Sequence, residues 1–182
     1  MQILINFVAF KIGWLACVLG GANGLPLLGT GIALLIVGAH VVTASRPRNE
    51  LMLVLIAGAI GAVYDSVLAA SGLLIYSSGT LFAGTAPYWI IAMWLLFATL
   101  LNKSLRWLHG KTVAAAIIGA VGGPLAFYAG HRLGAVEFGD FGLAMLALAV
   151  GWGTIMPVLA MLARRFDGMA PAPASTATTA RA

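Results

Sequence analysis

Charge is what this chain has least of. Asp, Glu, Lys and Arg make up 8% of its 182 residues, where a soluble domain carries roughly a quarter. A surface so poor in polar groups cannot be wetted, which excludes a free-standing soluble domain and points to lipid as the solvent. With a single cysteine, Cys17, no internal disulfide can form. Cys17 follows Trp14, Leu15 and Ala16, a run close to a lipoprotein cleavage site. Trp14, however, stands where a small apolar residue is needed, and Lys11 interrupts the apolar stretch, so a buried structural thiol is expected. No group of His, Cys, Asp and Glu has metal-ligand spacing, and no specific phosphate-binding glycine loop occurs, so neither a metal nor a cofactor is predicted. The net charge of +5 would suggest nucleic acid in a soluble protein. Here the basic residues lie between apolar runs with no basic stripe interleaved with aromatics, and no nucleic-acid partner is expected.

What the chain does have is length of apolar sequence, with 62% of its residues hydrophobic. Separable stretches run from about Ile3 to Gly20, Leu27 to Ala44, Leu51 to Tyr76, Ala86 to Leu101, Thr112 to Gly134 and Phe141 to Ala163. In a bilayer each backbone amide needs an internal partner, so each stretch reads as a helix. The predicted fold is all-α, an integral membrane bundle of about six transmembrane helices over residues 1–167, followed by a disordered Ala/Pro/Thr-rich cytoplasmic tail at 168–182. Glu137 to Asp140 reads as a short loop.

Eight of the ten basic residues, namely Arg46, Arg48, Lys103, Arg106, Lys111, Arg164, Arg165 and Arg181, fall on one side of such a bundle; Arg132 falls on the other and Lys11 within a span. Basic residues accumulate on the cytoplasmic side, which places both termini there and the protein in a bacterial inner membrane. Small residues recur every four positions at Gly58, Ala62, Ser66 and Ala70, and again at Gly122, Ala126, Gly130 and Gly134, as ridges on which helices approach closely. The similarity of Gly58-Ala59-Ile60-Gly61-Ala62 to Gly119-Ala120-Val121-Gly122-Gly123 makes a parallel repeat of helical hairpins conceivable. Pro124, beside this second segment, removes a backbone donor and can bend its helix.

A charge inside a bilayer needs a reason. Lys11 lies near the middle of the first stretch. Asp65, between Tyr64 and Ser66 on a small-residue face, is the one acid inside a stretch so drawn. Each must reach the interface, pair or shed its charge, and a Lys11–Asp65 pair is one solution. His131 and Arg132 end the fifth stretch, with Tyr128 one turn before. Asp65, Lys11, Arg132, His131, Tyr64 and Tyr128 are therefore the candidate ligand- or proton-binding residues. Asn6 and His40, nearer the cytoplasmic surface, read as structural. Nothing in the pattern points to a catalytic residue.

Several pieces together carry a resemblance: the run from Phe10 through Lys11, Gly13, Trp14 and Cys17 to Ala22, the Tyr64-Asp65-Ser66 step, Ala86-Pro87-Tyr88-Trp89 before Trp94, and Gly122-Gly123-Pro124-Leu125 before Gly130. Over about Asn6 to Ala163 the chain resembles an uncharacterised proteobacterial family catalogued only as a domain of unknown function. That resemblance implies a setting near cyclopropane-fatty-acid-synthase-like enzymes, hence membrane-lipid modification or stress, and it supplies no activity. Lys11 departs from the uncharged polar residue usual at that point in the family, which weakens a catalytic role for it. Three classes remain. The first is a non-catalytic protein that binds membrane lipids or supports a lipid-modifying enzyme. The others are a small transporter or channel using Asp65, and a membrane-embedded enzyme. Isolated polar residues, rather than a connected path or cluster, favour the first.

Overall fold

The computed structural model describes residues 1–170; most of the predicted disordered tail, with Arg181, lies outside them. Six α-helices carry the fold: α1 (Gln2–Ala22), α2 (Pro26–Val42), α3 (Pro47–Ala70), α4 (Tyr88–Leu101), α5 (Thr112–Arg132) and α6 (Phe141–Arg165). Two short strands, β1 (Leu74–Tyr76) and β2 (Val136–Phe138), pair antiparallel with Ile75 opposite Glu137. The third apolar stretch therefore does not run as helix to Tyr76. Gly72, at φ +73°, ends α3, and Gly134, at φ +83°, ends α5 in the same way. Glycine is the residue that adopts this left-handed conformation without strain. The segment expected as a Glu137–Asp140 loop begins as a strand. Both strands lie past the helix ends, where backbone groups need partners that no helix supplies. Pro26 and Pro47 start α2 and α3 where a missing N–H costs nothing, and Asp140 caps α6 by accepting from Leu143 N at 2.8 Å.

Contacts at the helix ends show that the helices alternate in direction. At one end Ser77 and Ser78 bond Gly21 O, Trp89 bonds Ser78 O, and β1 meets β2. At the other, Asn6 bonds Thr99 O, Ser104 bonds Asn6, and Glu50 meets both Asn102 and Gly168. Four helices, α1, α3, α5 and α6, are long and apolar enough to cross a membrane, while α2 and α4 are apolar but shorter. Every residue of α4 is buried or half-buried, and it packs against α1, α2 and α3. An element apolar all round belongs in the centre. The outer faces of α1, α2, α5 and α6 expose Leu4, Leu35, Ile117 and Leu146 among many other large apolar residues, as lipid contact demands.

The chain contains a structural repeat. The turn Ser71-Gly72-Leu73 bonds back to Val67, Ala69 and Leu68. Leu133-Gly134-Ala135 bonds back to Ala129, His131 and Gly130, position for position. Ser77 N donates to Ala135 O, and Gly139 N donates to Leu73 O, the same bond seen from each half. A Cβ on Gly61 would strike the indole of Trp94, and one on Gly123 would strike that of Trp152. The two indoles stack, 4.5 Å apart and 12° from parallel, where an axis along the helices relates α3–β1–α4 to α5–β2–α6. The repeat glimpsed in the sequence is thus present with its register moved by one: Gly61 answers Gly123, and Gly58 answers Ala120.

The ridge on α5 shifts correspondingly. Gly119 and Gly123 are buried against α6, whereas a Cβ on Gly122 meets nothing. Gly123→Ala should therefore destabilise the protein by an overpacking cost of about 1–3 kcal/mol, and Gly122→Ala should be neutral. Thermal melts in detergent check this, and equal melting temperatures for the two variants would contradict the packing described.

Candidate functional site: a cleft between α1, α4 and α5

A cavity of about 420 Å³ lies between α1 and α5 with α4 as its floor. Phe10, Lys11 and Trp14 form one wall; Gly119, Gly122 and Ala126 form the other. Trp89, Met93, Trp94 and Phe97 line the floor, and Trp152 and Met156 reach in from α6. Side-chain-free glycines on α5 make the far wall smooth. The volume falls within the range of about 300–1,000 Å³ typical of small-molecule sites.

Of the six polar candidates, two border this cleft. Lys11 is exposed at its rim, its Nζ 5.6, 5.8 and 5.5 Å from the ring centres of Phe7, Phe10 and Trp14. The three rings supply cation–π contact. Asp65 is fully buried at the opposite end, 0% exposed. Its Oδ1 accepts from the Tyr76 hydroxyl at 3.1 Å and its Oδ2 from Trp94 Nε1 at 2.5 Å. The carboxyl is thus held by two neutral donors, and the expected Lys11–Asp65 pair does not form.

The other four lie elsewhere. Tyr64 points away from the cleft to α6, donating to Ala147 O at 3.1 Å and filling the space above Gly151. Tyr128, exposed, sits near His131 and Phe141. His131 bonds Val136 O through Nδ1 at 3.1 Å, and Arg132 is exposed at the end of α5. These last three gather around β2, apart from the cleft. Among the packing candidates, Gly58 lies against Leu95 and Gly130 beside Val136. Ala62 is half-buried on α3. Pro124 sits within an unbroken α5, while Gly122 and Ala126 face the cleft rather than a neighbouring helix.

A second polar cluster was not anticipated. Glu50, 0% exposed, accepts from Asn102 Nδ2 at 2.8 Å and from Gly168 N at 3.1 Å, and lies 2.7 Å from His40 Nε2. Arg46 N donates to Gly168 O at 2.8 Å, so the chain after α6 is tied to the start of α3. Drawing the third stretch from Leu51 leaves Glu50 in a loop. Pro47 was the available signal, since proline favours the first helical position and puts Glu50 in the first turn. His40 and Asn6, expected near headgroups, are instead buried in polar contacts, Asn6 with Thr99 and Ser104. Among the described residues no three His, Cys, Asp or Glu side chains are placed to hold a metal ion.

The chain belongs to the family described as "Protein of unknown function (DUF2878)", whose model matches residues 3–158. Neither the curated proteins nor the solved structures contain a match to it.

Asparagine can serve both partners of Asp65, accepting from Trp94 Nε1 and donating to the Tyr76 oxygen. Leucine serves neither and leaves two buried donors unpaired at about 1–3 kcal/mol each. Asp65→Leu should therefore lower the melting temperature well below that of Asp65→Asn; the reverse order would show that the two bonds do not hold α3 to α4. Glu50→Ala likewise strands donors on Asn102 and Gly168, and should release the segment after α6 to trypsin at Arg164 and Arg165. A wild-type cleavage rate would show that this clamp does not restrain it.

Proposed function

We propose that this protein crosses the bacterial cytoplasmic membrane six times, with both termini inside, and binds a lipid chain non-catalytically in the α1–α4–α5 cleft beside an enzyme of membrane-lipid modification. The lining carries the reading. It is aromatic and glycine-smooth, its polar groups are Lys11 at the rim, Asp65, the Tyr76 hydroxyl and the N–H groups of its indoles, and α1 and α5 border it without packing along one another. Such a groove suits an aliphatic chain entering sideways from the bilayer, with a cation at its mouth for an anionic head. The orientation is supported by Arg46, Arg48, Lys103, Arg106, Lys111, Arg164 and Arg165, which all sit at the end of the bundle opposite the strands. The small-transporter alternative has in its favour that Asp65 borders the same cleft; both its oxygens are already engaged.

Reporter fusions at Arg48 and Leu108 should read as cytoplasmic and one at Ser78 as external; a cytoplasmic signal at Ser78 would overturn the six-span arrangement. Gly122→Ile places a side chain in open space within the cleft, so it should fold normally and lose most co-purifying lipid in native mass spectrometry. Unchanged lipid occupancy would show that the chain binds elsewhere or not at all.

A further inference from the structure

The two halves of the repeat differ where it matters for a ligand. Across the axis, Ile60 answers Gly122, Tyr64 answers Ala126, and Gly151 answers Met93. On the α3–α6 side the Tyr64 ring fills the crevice above Gly151. On the α4–α5 side the equivalent positions, Gly122, Ala126 and Met93, line the cleft. The cleft is therefore the half of a symmetric contact in which Gly122 and Ala126 replace Ile60 and Tyr64, while Met93, in place of Gly151, fills only part of the space.

The two halves also differ at the indole donors. The Nε1 of Trp94 donates to Asp65, which Tyr76 also holds. In the second half, Phe127 stands in place of Asp65 and Phe138 in place of Tyr76. Trp152 Nε1, the counterpart of Trp94 Nε1, is buried and has no acceptor among the described residues. A buried, unpaired N–H is a cost to the folded protein, and a site built to bond an oxygen recovers that cost when the oxygen arrives. The Trp152 ring lines the cleft while its Nε1 lies behind the surface of that lining, so that a shift of the ring is needed to bring it to an oxygen there. An aromatic row leads from the ring to the rim: Phe97 lies 5.3 Å from Trp152, Phe10 6.2 Å from Phe97, and Lys11 Nζ 5.8 Å from Phe10.

We propose that the cleft is a site for one acyl chain of an anionic glycerophospholipid of the surrounding bilayer, whose ester carbonyl accepts from Trp152 Nε1 while its phosphate is drawn to Lys11. This rests on the lipid-chain reading above and adds the head chemistry. An uncharged donor inside an apolar wall suits a neutral carbonyl, and an ammonium at the rim suits a phosphate. Trp152 and Lys11 are then the specificity-determining pair, and the missing counterparts of Tyr64 and Ile60 provide the room.

The test titrates the full-length protein in detergent with ester-linked phosphatidylglycerol and with its di-ether analogue, which keeps the phosphate and chains but lacks both carbonyls. The wild type should bind the ester about fivefold more tightly, the worth of one net hydrogen bond. Trp152→Phe should bind the two alike, and Lys11→Met should weaken both while preserving their ratio. Equal binding of ester and ether by the wild type would overturn the role of Trp152 and leave the lipid cleft standing, and that comparison needs no variant to fold. Binding of neither lipid, or binding unaffected by Gly122→Ile, would overturn the lipid cleft itself.

Discussion

Trp94 and Trp152 lie face to face, each laid over a glycine of the neighbouring helix, and the spacing of the bundle follows from that arrangement. In lipid no hydrophobic force draws helices together, so close packing must do it. Gly61 and Gly123 let the indoles sink onto the backbones of α3 and α5, and the stack then joins the two hairpins across their shared axis. Aromatic pairs contribute about 0.5–1.5 kcal/mol beyond burial.

From that centre the halves diverge. In the first, the Trp94 N–H is satisfied by Asp65 and a tyrosine closes the outer crevice. In the second, phenylalanines replace the acid and its tyrosine partner, and small residues leave the crevice open. Burial of a polar group demands a partner, so Asp65 reads most simply as the anchor of α3 to α4, and the half that lacks such an anchor is the half with space and a spare donor. The Glu50 cluster does for the basic end of the bundle what β1–β2 pairing does for the other, tying separate segments where helix termini leave groups unpaired.

Element existence was legible in the sequence because long apolar runs in lipid admit few alternatives. The ends were less so. Gly72 and Gly134 were visible as glycines, but that two helix exits would pair as strands depends on their being brought together by the repeat. The one-residue error in the repeat register arose because Gly and Ala abound, and only the indoles over Gly61 and Gly123 fix the alignment. Asp65, the one acid inside an apolar stretch, is a buried side chain with two partners at the edge of a cavity. Glu50 falls outside the apolar stretches because hydropathy places a boundary by the first apolar residue, whereas Pro47 starts the helix a turn earlier. The cleft itself could not be read at all: it consists of side chains absent from Gly122 and Ala126, and an absence has meaning only beside Ile60 and Tyr64.

On the proposed reading, a symmetric contact is filled by protein on one side and by lipid on the other. An electron cryomicroscopy structure of the protein in nanodiscs of bacterial lipid tests this most directly. Elongated density is expected between α1 and α5, reaching from Lys11 toward Trp152, with the Tyr64 ring alone occupying the crevice between α3 and α6. A cleft closed by contact of α1 with α5, or lipid density bound equally on both sides of the axis, would contradict it.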